Sequence, residues 1–239
     1  MTVTLDDLTR GELEVVGQLI DASNGSLLCR LGHGDGTSEA PLVIYKPRAG
    51  ERPLWDFPDG TLSQREVAAF VVAETLGWTI VPPTVWRDGP AGPGMAQLWI
   101  DIDESVDLVA LIQSDHDALR RIAVFDALIN NGDRKGGHLL PTADGTIWGI
   151  DHGVSFAVDD KLRTVLWQWR GAQIPAPLIA DLQRWLDLVS AGGPGLAVLH
   201  ELLSEEEVEV LVERGNRLVA EARHPQPSPD WPAIPWPPF

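Results

Sequence analysis

The chain has 239 residues, with 35 acidic against 18 basic side chains, a formal net charge of −17 and a single cysteine. Such a field repels DNA, RNA and anionic lipid headgroups, which sets aside nucleic-acid binding as a primary role. Cys29 alone excludes an intramolecular disulfide and a multi-cysteine zinc site, and no run reaches the ~18 apolar residues of a membrane span. With 44% hydrophobic residues the chain can bury one large domain or two small lobes packed together. The opening Met1–Asp7 has neither a basic nor an apolar leader segment, so a cytoplasmic protein is expected.

The first hundred residues read as short strands separated by Gly- and Pro-rich turns. Alternation and β-branched content place strands at Leu13–Ile20, Ser26–Leu31, Leu42–Lys46, Val85–Arg87 and Ala96–Ile100. One helix interrupts them over Gln64–Leu76, with Ala69, Phe70, Ala73 and Leu76 on its apolar face and Gly77 as its stop. Beyond Asp101 the pattern turns helical. Ser114-Asp115-His116-Asp117 fits a capping box, and Ala118, Ile122, Phe125 and Ile129 follow at helical spacing until Asn131-Gly132. A hairpin over His138–Asp151 turns at Asp144-Gly145. Further helices are expected over 176–189, 195–203 and 205–223, the last capped by Ser204 with Glu207. The Pro- and Trp-rich tail 224–239 is either a polyproline-like extension or a strap packed on the body, and its aromatics favour the strap. The expected architecture is α+β and bilobal: a strand-rich amino-terminal lobe (1–100), a helical carboxy-terminal lobe (101–223) carrying the hairpin, and the tail (224–239).

Two carboxylates stand out. Asp133 follows a helix end, which puts it on an exposed loop, and Asp151 closes the hairpin in Trp148-Gly149-Ile150-Asp151-His152-Gly153. With a two-residue turn at Asp144-Gly145, His138 lies directly opposite Asp151, their Cβ atoms about 4.5–5.5 Å apart and able to share a metal. Pro141 argues for irregular pairing near the turn. Taken singly, each acid also reads as a turn former. Lys46 ends the apolar run Leu42-Val43-Ile44-Tyr45 on the face of Leu42 and Ile44, an unusual place for a free ammonium. The turn Asp21–Ser26 lies between two strands, and its Ser23, Asn24, Gly25 and Ser26 are candidates to fold over phosphates through backbone N–H groups. Neither a Walker A nor a Rossmann fingerprint is present, and Gly153-Val154-Ser155 is no nucleophile elbow.

Phosphoryl transfer needs a carboxylate at the attacking group, ligands for metal on the phosphates and a lysine on the phosphate oxygens. The segment Asn131-Gly132-Asp133-Arg134-Lys135-Gly136-Gly137-His138, followed by Ile150-Asp151-His152-Gly153, resembles the catalytic and metal-binding loops of the phosphatidylinositol 3-/4-kinase-like superfamily. That superfamily includes the HipA-type kinases, and the chain is most similar to its bacterial phosphatidylinositol 3-/4-kinase-like family, over roughly residues 13 to 190. The resemblance implies a protein-kinase-like fold, with Asp133 catalytic, Asp151 metal-binding and His138 standing where a metal-ligating asparagine is usual. An imidazole there suits manganese or zinc better than magnesium. By the same resemblance Lys46 meets the α- and β-phosphates of ATP. Glu66 is either its helix partner or the last residue of a Ser63–Glu66 capping box. Gln97-Leu98-Trp99-Ile100 would form the hinge that binds adenine, with Trp99 equally suited to core packing. The implied function is an ATP-dependent phosphotransferase with Mg2+ or Mn2+. Its acceptor is a protein or small molecule, facing Lys161, Arg163, Trp167, Trp169 and Arg170, with Trp167 and Trp169 equally suited to core packing. The alternatives are a pseudokinase that binds nucleotide and signals to a partner, and a phosphoinositide kinase; stable membrane insertion and nucleic-acid binding are not expected.

Overall fold

A computed structural model of the chain describes residues 3–19, 25–32 and 40–239. Five strands, β1 (Glu12–Gln18), β2 (Leu27–Gly32), β3 (Leu42–Pro47), β4 (Thr84–Gly89) and β5 (Gly92–Leu98), form an antiparallel sheet in the order β1-β2-β3-β5-β4. Strand alternation sorts their side chains. Cys29 and Leu31 of β2 and Val43 and Tyr45 of β3 share a buried face with Ala96 and with Leu8 from α1 (Leu5–Arg10). That helix, too short to show a periodicity, is signalled locally by a capping box between Thr4 and Asp7. The opposite face of β3 carries Ile44 and Lys46, so the lysine points away from this small core. Pro47 pairs with Gly94, where any side chain would collide with the backbone of Lys46 and Pro47. The glycine thus lets β3 and β5 close at the residue that presents the lysine. The last strand ends at Leu98, two residues before its expected limit, and Trp99–Ile100 continue as irregular chain.

Helix α2 (Leu62–Leu76) starts two residues earlier than expected and is buried on nearly every side. Its amino terminus is capped from outside: the Glu51 carboxylate accepts the N–H groups of Leu62 (3.0 Å) and Ser63 (2.8 Å). The proposed Ser63–Glu66 capping box is therefore absent, because Ser63 already lies within the helix. The helix stops at Gly77, which takes the left-handed conformation (φ 73°) that a side chain would strain.

The remaining helices are α3 (Leu108–Gln113), α4 (Asp117–Ile129), α5 (Ala176–Ser190), α6 (Leu196–Leu202) and α7 (Glu205–Glu221). They build the main core with α2, around Leu119, Phe125, Leu128, Leu182, Trp185 and Leu211. At α4 the cap is His116, whose Nδ1 accepts from Ala118 N, rather than Ser114; an imidazole nitrogen replaces the hydroxyl that the pattern suggested. Ser204 and Glu207 form the expected capping box of α7.

The hairpin of β6 (Leu139–Pro141) and β7 (Ile147–Gly149) departs from the expected register by one residue. Thr142 N bonds to Thr146 O, and Gly145 adopts φ 86°, so Ala143-Asp144-Gly145 is a three-residue loop and not a two-residue turn. Ile150 consequently pairs with His138, its N–H donating to His138 O at 3.0 Å.

The tail is a strap. Thr164 N and Trp167 Nε1 donate to Ala233 O at 3.0 and 2.7 Å, Gly136 N donates to Pro238 O at 2.8 Å, and Trp231 stacks on Trp55. Among the described residues, no helix is long and apolar enough to cross a membrane.

Candidate active site

The loop after α4 is shaped by its own side chains. Asn130 ends the helix in the left-handed region, which asparagine tolerates, and its amide spans to the carbonyls of Ala157 and Asp159. Asn131 Oδ1 accepts the N–H of Asp133 at 2.9 Å, while its Nδ2 donates to Asp126 at 3.0 Å. Asp126 in turn forms a fully buried ion pair with Arg134 at 2.9 Å. The same guanidinium donates to Ile150 O at 2.7 Å and to His152 Nε2 at 2.7 Å. One arginine thus ties α4 and the Asp133 loop to the residues on either side of Asp151. Buried charges persist only when paired and hydrogen-bonded, and this one is both. His152 is fully buried edge-on to Phe125, and burial holds its ring neutral. It packs there, and it also donates its backbone N–H to Glu66 Oε2 at 3.0 Å.

Asp151 adopts φ 61°, outside the ordinary range for a residue with a side chain. That turn, and not the strand register, brings its carboxylate to His138: Nε2 of the imidazole lies 3.2 Å from Oδ2. Oδ1 accepts from Lys46 Nζ at 2.9 Å, and the same ammonium donates to Glu66 Oε1 at 2.5 Å. Lys46, Glu66, His138 and Asp151 therefore meet at one point. The ammonium holds the Asp151 carboxyl far below its usual range. Burial alone would lower the Lys46 pKa, but the Asp151 and Glu66 charges push it well up. Burial pushes the Glu66 carboxyl up while Asp151 is held ionised, so Asp151 is the carboxylate that can face a divalent cation. Burial lowers the His138 pKa to about 4, so its imidazole is neutral near pH 7 and has the protonation state a metal ligand requires. Among the described residues no three His, Cys, Asp or Glu side chains converge as a metal cage. His138 and Asp151 supply two donors, which suits a cation whose other ligands are phosphate oxygens and water.

Asp133 is half-buried, and its Oδ2 lies 3.1 Å from Lys135 Nζ. Burial pushes its carboxyl up, with Lys135 opposing, which moves it toward the range of a useful proton acceptor.

Beside the Lys46 cluster lies a cavity of about 330 Å³. Ile44 and Leu19 line its sheet side, Leu140 and Ile150 the hairpin side, and Gln97–Ile100 with Ile102 its back edge; Lys46, His138 and Asp151 form its polar end. An apolar slot with a few convergent polar groups is the usual form of a small-molecule site. The four candidate hinge residues differ in what they offer. The Gln97 amide donates to Thr84 Oγ1 at 2.8 Å, Leu98 N to Pro83 O and Trp99 N to Leu42 O. Ile100 N–H has no such partner among the described residues. Trp99 is 37% exposed at the rim, so it is no core residue. Ser26 lines the cavity with a buried hydroxyl that lacks a partner among the described residues, whereas Gly25 donates its N–H to Gly50 O and does not line it. Ser23 and Asn24 lie outside the described residues.

Of the stretch expected to face an acceptor, Trp169 is buried against Asp115 and Trp167 sits beneath the strap. Lys161 and Arg163 do approach the Asp133 loop, lining a small cavity with Gly132. The sequence reading left Asp126, Asn131, Arg134 and Lys135 unassigned. The signal for Asp126 was an acid on the buried side of an apolar helix, eight positions before Arg134.

No family model matches the chain. It is 40% identical to Protein Rv2133c of Mycobacterium tuberculosis (strain ATCC 25618 / H37Rv) over 267 aligned positions, covering 97% of this chain and 94% of that protein. Its fold is similar to the Golgi casein kinase with Mn/ADP bound, with a TM-score of 0.59 at 16% identity over 91% of this chain and 74% of that one. It is also similar to the Helicobacter pylori proinflammatory kinase CtkA, with a TM-score of 0.51 at 13% identity over 90% and 94% of the two chains. At those identities the likeness is one of fold. The chain therefore belongs to the family of the mycobacterial Protein Rv2133c, and its mixed α/β fold is kinase-like.

Proposed function

We propose that the protein is an ATP-dependent phosphotransferase of bilobal build, with lobes at 1–100 and 101–223 and the strap 224–239 bound across them. The observation that carries the reading is Lys46 held between Glu66 and Asp151, facing His138, at the polar end of an apolar slot. Adenine fills the slot against Ile44 and Ile150, with Ile100 N–H as its hinge donor and the Ser26 hydroxyl on the ribose or phosphates. Lys46 binds the α- and β-phosphates, and Glu66 holds the ammonium in place. His138 and Asp151 would hold Mg2+ or Mn2+, which supplies charge neutralisation on the phosphates when bound. Asp133 orients an acceptor hydroxyl and takes its proton as the oxygen bonds to the γ-phosphorus and the bond to the ADP oxygen breaks. Lys135, beside Asp133, stabilises the transferring group's oxygens. The Asp133–His138 and Asp151 loops are the ground for relating the chain to the phosphatidylinositol 3-/4-kinase-like superfamily and its HipA-type members. The net charge argues against an anionic membrane as the place of work, so a protein or small-molecule acceptor ranks above a phosphoinositide. With its one thiol, Cys29, buried and unpaired, the reading places the enzyme in the reducing cytoplasm.

A second reading, a pseudokinase that senses nucleotide without turnover, rests on one observation: an imidazole, His138, stands beside Asp151 where the resemblance implies a metal-ligating asparagine. Calorimetric titration of ATP with magnesium, manganese or no metal separates these from a purely structural site. The expected result is metal-dependent binding that Asp151→Asn abolishes without unfolding, and turnover that Asp133→Asn abolishes with binding retained. Asparagine tolerates the left-handed backbone of position 151, so the first variant is a clean charge deletion. Absence of nucleotide binding with any metal refutes both readings.

A further inference from the structure

We propose that Arg163 is the anchor of the acceptor subsite, and that the acceptor is a small hydroxyl compound bearing an anionic group, a carboxylate or a phosphate ester. The inference rests on the phosphotransferase reading and names the substrate class of that site.

Three observations converge on it. First, Arg163 is fixed beside the candidate catalytic carboxylate. Its N–H donates to Asn131 O at 3.0 Å and its carbonyl accepts from Arg134 N at 3.0 Å, so its backbone is bonded on both sides of Asp133. Second, its guanidinium forms no hydrogen bond or ion pair among the described residues, although its charge acts on Asp133 from a distance. Its Nε is buried without an acceptor. An unsatisfied buried donor is costly, and a guanidinium fork matches a carboxylate or phosphate in two parallel hydrogen bonds. Neighbouring cations are not free in this way: Lys135 pairs with Asp133, and Lys161 pairs with Asp56 at 3.2 Å. Third, Arg163 lines a pocket of about 30 Å³ with Gly132, Val154, Trp231 and Lys161, whose ammonium takes up the charge of Asp56 in the same lining. That volume admits one small polar group and little more. The Trp55–Trp231 stack stands at this end, with Trp55 85% exposed, as an apolar outer wall.

The surrounding charge sharpens the selectivity. A net charge of −17 repels extended polyanions, whereas one unpaired guanidinium in a small recess still binds a single anion at short range. The site therefore selects a compact molecule with its hydroxyl a few bonds from its anionic group.

Two experiments test this, and the first needs no ATP. The arginine Nε–Hε resonances of the protein are followed by NMR during titration with inorganic phosphate and, separately, with acetate. The expected result is saturable movement of the resonance that Arg163→Lys removes, with those of the buried Arg65 and Arg134 unmoved. Movement with phosphate alone assigns a phosphate ester, and movement with both assigns a carboxylate or a phosphate. No movement with either anion, or equal movement of all exposed arginines, overturns the proposal. The second experiment measures ATP turnover with Mn2+ on glycerate, serine and glycerol 3-phosphate against neutral glycerol. The anionic compounds are expected to be preferred, and Arg163→Gln to raise the acceptor KM about 10- to 100-fold with the ATP KM unchanged. ATP binding without use of any anionic compound, or an unchanged acceptor KM in the variant, overturns it. Failure of ATP binding itself, with the phosphate response of Arg163 intact, instead sinks the phosphotransferase reading.

Discussion

Replacing Asp126 by asparagine tests whether one buried ion pair holds the candidate site together. Both side chains of the Asp126–Arg134 pair are fully buried, and the carboxylate takes hydrogen bonds from Arg134 Nε at 2.9 Å, Arg134 Nη2 at 2.9 Å and Asn131 Nδ2 at 3.0 Å. Asparagine keeps the volume but puts an NH2 group against one of these donors and leaves the guanidinium without a counter-charge. Removing one member of a buried pair costs about 3–5 kcal/mol. At about 2 °C per kcal/mol for a chain of this size, the melting temperature should fall by roughly 6–10 °C. Urea denaturation with two probes gives the free energy, and calorimetry gives the melting temperature. The loss should be largely recovered when Asp126→Leu is combined with Arg134→Met, because that removes both charges together. A loss below about 1 kcal/mol would equal that of an exposed pair, and would refute the claim that this contact anchors the Asp133 loop.

Three further outcomes follow from the geometry. His224 is buried with its pKa lowered to about 4, so between pH 6.5 and 4 the unfolded chain binds a proton that the folded one does not. Its contribution is fully present above pH 6.5 and is lost as pH falls, by about 3 kcal/mol at most, and His224→Gln should remove that part of the acid slope in urea titrations. Gly136→Ala would set a methyl group against the Phe239 ring. The expected result is faster proteolytic clipping of the tail and a stability loss of about 1–3 kcal/mol, and unchanged clipping would count against the strap. Glu51→Ala removes the cap of α2 and should cost about 1 kcal/mol in thermal unfolding, since among the described residues no other side chain accepts those two N–H groups.

Local rules made the elements legible. Alternation gave β2 and β3 to within a residue, and the apolar spacing of α4 and the Ser204 capping box gave two helices. Lys46 was conspicuous because an ammonium on an apolar strand face needs a partner. What the sequence hid were contacts between distant segments. Glu66 and its hydroxyl neighbours fit a capping box by local pattern, but Glu51, eleven positions before Leu62, occupies the helix end and leaves Glu66 for Lys46. The hairpin register failed because a glycine in the left-handed region lengthened the turn, a choice that Asp-Gly alone does not encode. Even so, His138 reached Asp151, by a backbone twist at Asp151 that no periodicity reveals.

Helix α2 has a wider consequence. It is buried on nearly every side, packs on β4, β5, α5 and α6, and is pinned by Trp185 Nε1 to Thr75 Oγ1 at 3.1 Å and by Arg65 to Ser155 O at 2.8 Å. Glu207, itself part of the capping box of α7, grips the same arginine. A rod clamped all round cannot swing outward without opening the core, so breaking the Lys46–Glu66 contact by moving this helix would cost core packing. On the phosphotransferase reading, control over this protein would act on supply and access: how much nucleotide, metal or acceptor reaches a site that is already assembled.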